Sequence, residues 1–421
     1  MSEYISKDIY KKVPLDYSKP DGRQIEIYAR DLYKKGNEDA ELMVFFAGGP
    51  GLMAPRNIGE SWLKYALEHF HLVIVDQRGS DRSSRIGPET PAMFDNAQEL
   101  AEYLSHFRAD NIVRDAEVLR KEIYGGVQWY SAGQSYGGFI TCSYLSFAPE
   151  GLKGSIITGG LPPFKKDTVD GVYKANLENV YARNKAYYQA YPEDAAKVKN
   201  IVNLLQEKPL KLAENDTFTA ERFLEAGMIL GVNGAFDKLH ASLENPYMDS
   251  SESQVSWAFA TKIKETDYET NPIFAFLHEL IYCDGNRKSN WAAERCMAED
   301  PRFALDNEEF ICLRGECVRS GMFDDYAMLR PFKEAAEILA QKEDWPALYD
   351  FEQLAQNKVP VEAMVYDTDF YVDLQGSLDC ADAIQGCNVS RHPTLQHNSL
   401  TTHSETVLSI LYGNILRRTQ G

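Results

Sequence analysis

The chain has 421 residues, 44% of them apolar and 12% aromatic, with 44 basic against 63 acidic side chains and a formal charge of −19. That length and apolar content suit a globular fold with a large core, as one α/β domain carrying an insertion or as two domains, and the negative balance opposes binding to nucleic acid or an anionic membrane. The opening residues, MSEYISKDIYKKVPLDYSKPDGRQ, lack the apolar core of a secretory signal, and no stretch is long enough to span a bilayer; the seven cysteines are scattered without zinc spacing, so a soluble cytoplasmic protein is expected.

Short apolar runs that end in turn residues punctuate the first part: LMVFF before AGGPG, HLVIV before DQRGS, VQWYS before AGQSYGG, and GSIIT before GGLPP. Runs this short and β-rich, bounded by glycine or proline, read as buried strands of a mostly parallel sheet. In ADNIVRDAEVLRKEIYGG, Ile112, Ala116, Leu119 and Ile123 recur at helical spacing, and Gly125 is placed to end the helix. Alternating strand and helix predicts an α/β fold with ligand sites at the carboxyl ends of the strands, where each glycine-rich stretch falls.

After GGLPP the texture changes. From about Phe164 to about Met322 strand signals are few and long helical patterns take over, first Leu177, Val180, Tyr181, Asn184 and Tyr188, then Val198, Ile201, Val202 and Leu205. This predicts an inserted helical cap lying over the strand ends. β texture returns in VPVEAMVYDTD, preceded by the amphipathic LRPFKEAAEILAQKEDW, and the chain closes with HSETVLSILYGNILRR, a helix by its apolar spacing. The expected organisation is a first core segment at 1–163, a helical cap at 164–322 and a second core segment at 323–421.

The stretch GQSYG places Ser135 between small neighbours directly after a strand, the pattern of a nucleophile elbow. A serine hydroxyl is a poor nucleophile at neutral pH and needs a histidine to take its proton and a carboxylate to orient that histidine. In hydrolase sheets of this kind the order is serine, acid, histidine. That order leaves Asp367, Asp369 and Asp373 at the end of the returning strand, then, after one helix, His392, His397 and His403. The oxyanion of the tetrahedral intermediate calls for amide donors, one from the N–H of Tyr136 and one from Gly48 or Gly49 in AGGPG.

Together, GGPG at Gly48 to Gly51, DQRGSDRS at Asp76 to Ser83, GQSYGG at Gly133 to Gly138, TGGLPP at Thr158 to Pro163 and DFYVD at Asp369 to Asp373 resemble the proline iminopeptidases of the α/β-hydrolase fold. The length, the cap, LHELIYCDG and SNWAAER are similar to the long form of that family, so the likeness runs over nearly the whole chain. It implies a serine exopeptidase that cleaves after an amino-terminal proline of small peptides through an acyl-enzyme, with Ser135 as nucleophile, Asp369 as acid and His397 as base, and without metal or organic cofactor. It further implies cap carboxylates that hold the substrate amine, Glu279 and secondarily Glu294, and a pocket for the proline ring formed by the cap and the GGLPP turn. The chain departs from the family pattern at Ala47, where a histidine is usual, at Asp81, where glycine is usual, and at QHNS around His397. The rival readings are an aminopeptidase for other small residues or an esterase on the same fold, and an inactive hydrolase scaffold used for binding.

Overall fold

The computed structural model describes residues 3–59, 61–212, 216–264 and 271–420. Eight strands form one sheet: β1 Tyr4–Pro14, β2 Gln24–Lys34, β3 Leu42–Phe46, β4 His71–Val75, β5 Trp129–Gln134, β6 Leu152–Thr158, β7 Val361–Tyr366 and β8 Cys387–His392. Their spatial order is β1-β2-β4-β3-β5-β6-β7-β8, with β1/β2 and β2/β4 antiparallel and every later pairing parallel. The protein therefore has the α/β-hydrolase fold.

The central strands read as unbroken apolar runs because both their faces are covered. Along β3, Val44 and Phe46 enter the core on one face while Met43 and Phe45 enter the core on the other, and Val73 and Val75 divide from Leu72 and Ile74 along β4 in the same way. One face packs the helices Ala97–Ser105, Ala109–Glu122, Tyr136–Phe147 and Leu374–Ala383; the other packs Ser61–Leu67 and Ser404–Gln420. The Ala109–Glu122 helix ends at Ile123, and Gly125 and Gly126 follow with φ of 67° and 78°, the left-handed region that glycine tolerates.

Two parts of the sheet differ from the sequence reading. The antiparallel pair β1/β2 precedes the first expected strand, and its outer member carries lysines on an exposed edge, a pattern that protects an edge and hides its strand signal. Likewise, the acid and the histidines are separated by a helix and then by β8, a half-exposed edge strand, not by a helix alone.

Between β6 and β7 the chain is chiefly helical. Val169–Ala190 and Pro192–Glu207 carry the two apolar patterns named above, and a hairpin of Leu210–Lys211 with Thr217–Phe218 provides the segment's short paired strands among the described residues. Lys333–Gln341 packs back on Ala97–Ser105 beside the sheet. Among the described residues no helix is long and apolar enough to cross a membrane.

Candidate active site

Ser135 sits in the single-residue corner between β5 and the Tyr136–Phe147 helix, with φ 56° and ψ −127°. A non-glycine residue held there costs about 1–3 kcal/mol, so its surroundings must impose it. They do so from both sides: the Ser135 N–H donates to the Thr158 carbonyl at 3.0 Å, and the Gly138 N–H donates to the Ser135 carbonyl at 2.8 Å. The neighbouring glycines are required by contact. A Cβ on Gly137 would be driven into the Phe46 carbonyl, and one on Gly160 into the Ser135 carbonyl. Helix residues 136 to 146 are all buried, which fixes the corner against the core.

His397 lies in the loop after β8, and its Nδ1 is 2.8 Å from Asp369 Oδ2. Both side chains are buried. The other Asp369 oxygen accepts the N–H groups of Tyr371 at 2.9 Å and Val372 at 3.1 Å, which orients the carboxylate towards the ring. Burial pushes the His397 pKa down, yet the Asp369 carboxylate and, more weakly, the charge of Glu316 outweigh it and raise the imidazole above its ordinary 6.5. Consecutive glycines bring this pair to Ser135: a Cβ on Gly159 would stand 3.1 Å from His397 Nδ1 and 3.3 Å from Asp369 Oδ2, while Gly160 abuts Ser135. In addition, the Gln134 amide donates to the His397 carbonyl at 3.3 Å.

The other candidates go elsewhere. Asp367 accepts from Arg391 at 2.8 Å on the surface, and Asp373 caps the Leu374–Ala383 helix by accepting the Gly376 N–H at 2.7 Å. His392 Nδ1 accepts the Leu395 N–H at 3.1 Å, and His403 is exposed beside Thr402.

The AGGPG loop lies against Ser135, since a Cβ on Gly48 would be 3.0 Å from its Cβ and 3.5 Å from its Oγ. Gly49, at φ 115°, takes a backbone conformation that side chains resist. Gln77 of the DQRGS stretch braces this loop: its amide donates to the Ala47 carbonyl at 2.7 Å and its carbonyl accepts the Gly51 N–H at 3.3 Å. Arg78 is fully buried, pairs with Asp115 at 2.6 and 2.8 Å, and donates to the Leu15 and His106 carbonyls. Asp81 has φ 38° and pairs with Arg56, which also reaches Asp76.

Glu279 is buried and accepts the N–H groups of Ala292 at 3.1 Å and Ala293 at 2.8 Å, at the start of the Ala292–Glu299 helix. Burial pushes its pKa up to about 7 against the lowering effect of those bonds. Glu294 accepts the Ser320 N–H at 2.9 Å. Glu316 is half-buried and lies 3.2 Å from His278 Nε2, and His278 Nδ1 is in turn 3.1 Å from the Tyr173 hydroxyl. Glu279 and Glu316 both act on the phenols of Tyr173 and Tyr282, which burial chiefly and these charges secondarily hold protonated. Beside the GGLPP turn, Pro162, Pro163, Ile281, Tyr282 and Tyr349 line a cavity of about 20 Å³, room for a water.

Residues 41–194 match the family model described as alpha/beta hydrolase fold. Over 404 residues the chain is 37% identical to a proline iminopeptidase of Aeromonas sobria, a match that takes in 95% of this chain and 94% of that relative. The chain belongs to the proline iminopeptidases. It is also 34% identical over 413 residues to the proline iminopeptidase aneH of Aspergillus aculeatus, covering 95% and 91% of the two chains. Two residues of this proline iminopeptidase chain were not singled out from the sequence: Gln77, whose DQRG motif was noted but not its grip on the glycine loop, and Glu316. Glu316 stands between Gly315 and Cys317 in an irregular segment, and a lone carboxylate there carries no periodic signal.

Proposed function

We propose that the protein is a serine exopeptidase that removes an amino-terminal proline from peptides, with Ser135 as nucleophile, His397 as base and Asp369 as its orienting acid. The observation that carries this reading is the bond from His397 Nδ1 to Asp369, which leaves Nε2 as the free acceptor for the Ser135 proton. Ser135 Oγ attacks the proline carbonyl carbon as His397 takes the hydroxyl proton. The N–H groups of Tyr136 and of the Gly48 to Gly49 loop receive the charge on the carbonyl oxygen. The C–N bond then breaks with proton return from His397 to the leaving amine, and water, deprotonated by the same imidazole, hydrolyses the prolyl ester.

An exopeptidase must also hold the charged proline nitrogen, and a buried ammonium needs carboxylate partners. Glu316, whose field reaches both His397 and Tyr371, and Glu279, whose field reaches Tyr173 and Tyr282, are suited to this. Burial favours the neutral form of Glu279, and an ammonium brought beside it would favour the ionised form instead. Glu294, engaged with Ser320, is the secondary amine-binding carboxylate of this reading. The walls around the ring are the partly buried Tyr282 and the buried Tyr371, the latter edge-on to His397 at 4.8 Å. The compartment that fits the seven unpaired cysteines is the cytoplasm.

Two measurements test the reading together. Incubation with a proline-initiated peptide should release free proline, and an organophosphorus probe should label the parent covalently but not Ser135→Ala. Labelling that persists in the variant, or a peptide left intact by the parent, would contradict it.

A further inference from the structure

The ends of the sheet strands divide the site into two flanks. Glu316, His397 and Tyr371 lie on the β7 and β8 side of Ser135, while the glycine loop and the DQRGS turn lie on the β3 and β4 side. From β4 to β7 there are four strand spacings, about 19 Å, enough for several extended residues of peptide. With the amine held on the first flank, the chain beyond the scissile bond must leave over the second.

That second flank carries a groove of about 290 Å³ lined by Gly51, Leu52, Met53, Asp81, Arg85 and Asn271. Leu52 and Met53 are 49% and 60% exposed, two large apolar side chains adjacent in sequence and unsheltered by the core. The glycine loop links the groove to the reacting centre. Gly48 touches Ser135, and Gly51 follows three residues later, within about 11 Å along the chain. The groove's inner wall is rigid, since a Cβ on Gly51 would collide with Ile273 and would stand 3.1 Å from Asn271 Oδ1, and Gln77 holds the Gly51 N–H.

We propose that this groove binds the leaving part of the substrate, taking the second and third residues after the scissile bond and favouring apolar side chains there. The assignment rests on the proposed exopeptidase function. It makes the enzyme length-sensitive: a dipeptide or an arylamide ends before the groove, whereas a tetrapeptide reaches it.

The test compares kcat/KM for prolyl arylamide, Pro-Gly and Pro-Gly-Leu-Leu in the parent and in the double variant Leu52→Ser, Met53→Ser. Burial of the added leucines should raise kcat/KM about tenfold or more from dipeptide to tetrapeptide in the parent. The double variant should lose that gain while its rate on prolyl arylamide stays at the parent value. An active parent with equal kcat/KM for the two peptides, or a gain that survives the double substitution, overturns the groove assignment and leaves the exopeptidase function standing. A parent inert towards prolyl arylamide contradicts the function itself, and the groove assignment with it.

Discussion

At Ser135 the backbone holds an unfavourable angle at the end of β5, beside the Gly48 loop, and two close backbone bonds keep it there. The neighbouring histidine owes its orientation to Asp369, which spends one oxygen on two backbone N–H groups and the other on the imidazole. Asp369→Asn should therefore lower kcat by about 10⁴-fold through loss of the correct tautomer. Asp367→Asn, which removes a surface partner of Arg391, should leave kcat near the parent value; steady-state kinetics of the two variants separates them, and equal losses would contradict the assignment. The residues of this constellation were legible to different degrees. Ser135 announces itself because the strain at an elbow demands small neighbours. The choice of Asp369 over Asp367 depended on the resemblance, since alternation along a strand end does not say which carboxylate turns inward once the strand has stopped.

At the scale of elements, the loops that carry the site are braced by the DQRGS turn. Arg78 joins the end of β1 to the Ala109–Glu122 helix through Leu15 and Asp115, and Gln77 holds the glycine loop. Arg78→Met leaves Asp115 buried without its cation and should destabilise the protein by about 3–5 kcal/mol. Chemical denaturation monitored by circular dichroism checks this; a change within about 0.5 kcal/mol, the range of ordinary surface substitutions, would show that the pair is dispensable. The strands β3 to β7 were readable because burial on both faces writes them as apolar runs. Neither β1 nor β8 was, because an edge strand keeps its polar side chains in water and takes its place from hydrogen bonds to a neighbour distant in sequence. The helices at 169–190 and 192–207 were legible from spacing, but their packing on one another, and that of the first on Ala292–Glu299, is a tertiary fact that periodicity does not contain.

For the molecule as a whole, the proposed specificity combines Ser135 at the end of β5 with carboxylates of the segment between β6 and β7. The proposed function rests selection of a free amino terminus on Glu316 and Glu279, whose charges reach the phenols of Tyr173 and Tyr282. The central claim is that this charge pairs with the proline nitrogen while Ser135 attacks the adjacent carbonyl. The most direct measurement is the ratio of kcat/KM for prolyl arylamide to that for N-acetylprolyl arylamide, in the parent and in Glu316→Gln. The account predicts a ratio of about a hundred or more in the parent, from loss of a desolvated charge pair on acetylation, and a marked fall in the variant. Equal turnover of the free and the acetylated substrate by the parent would contradict it.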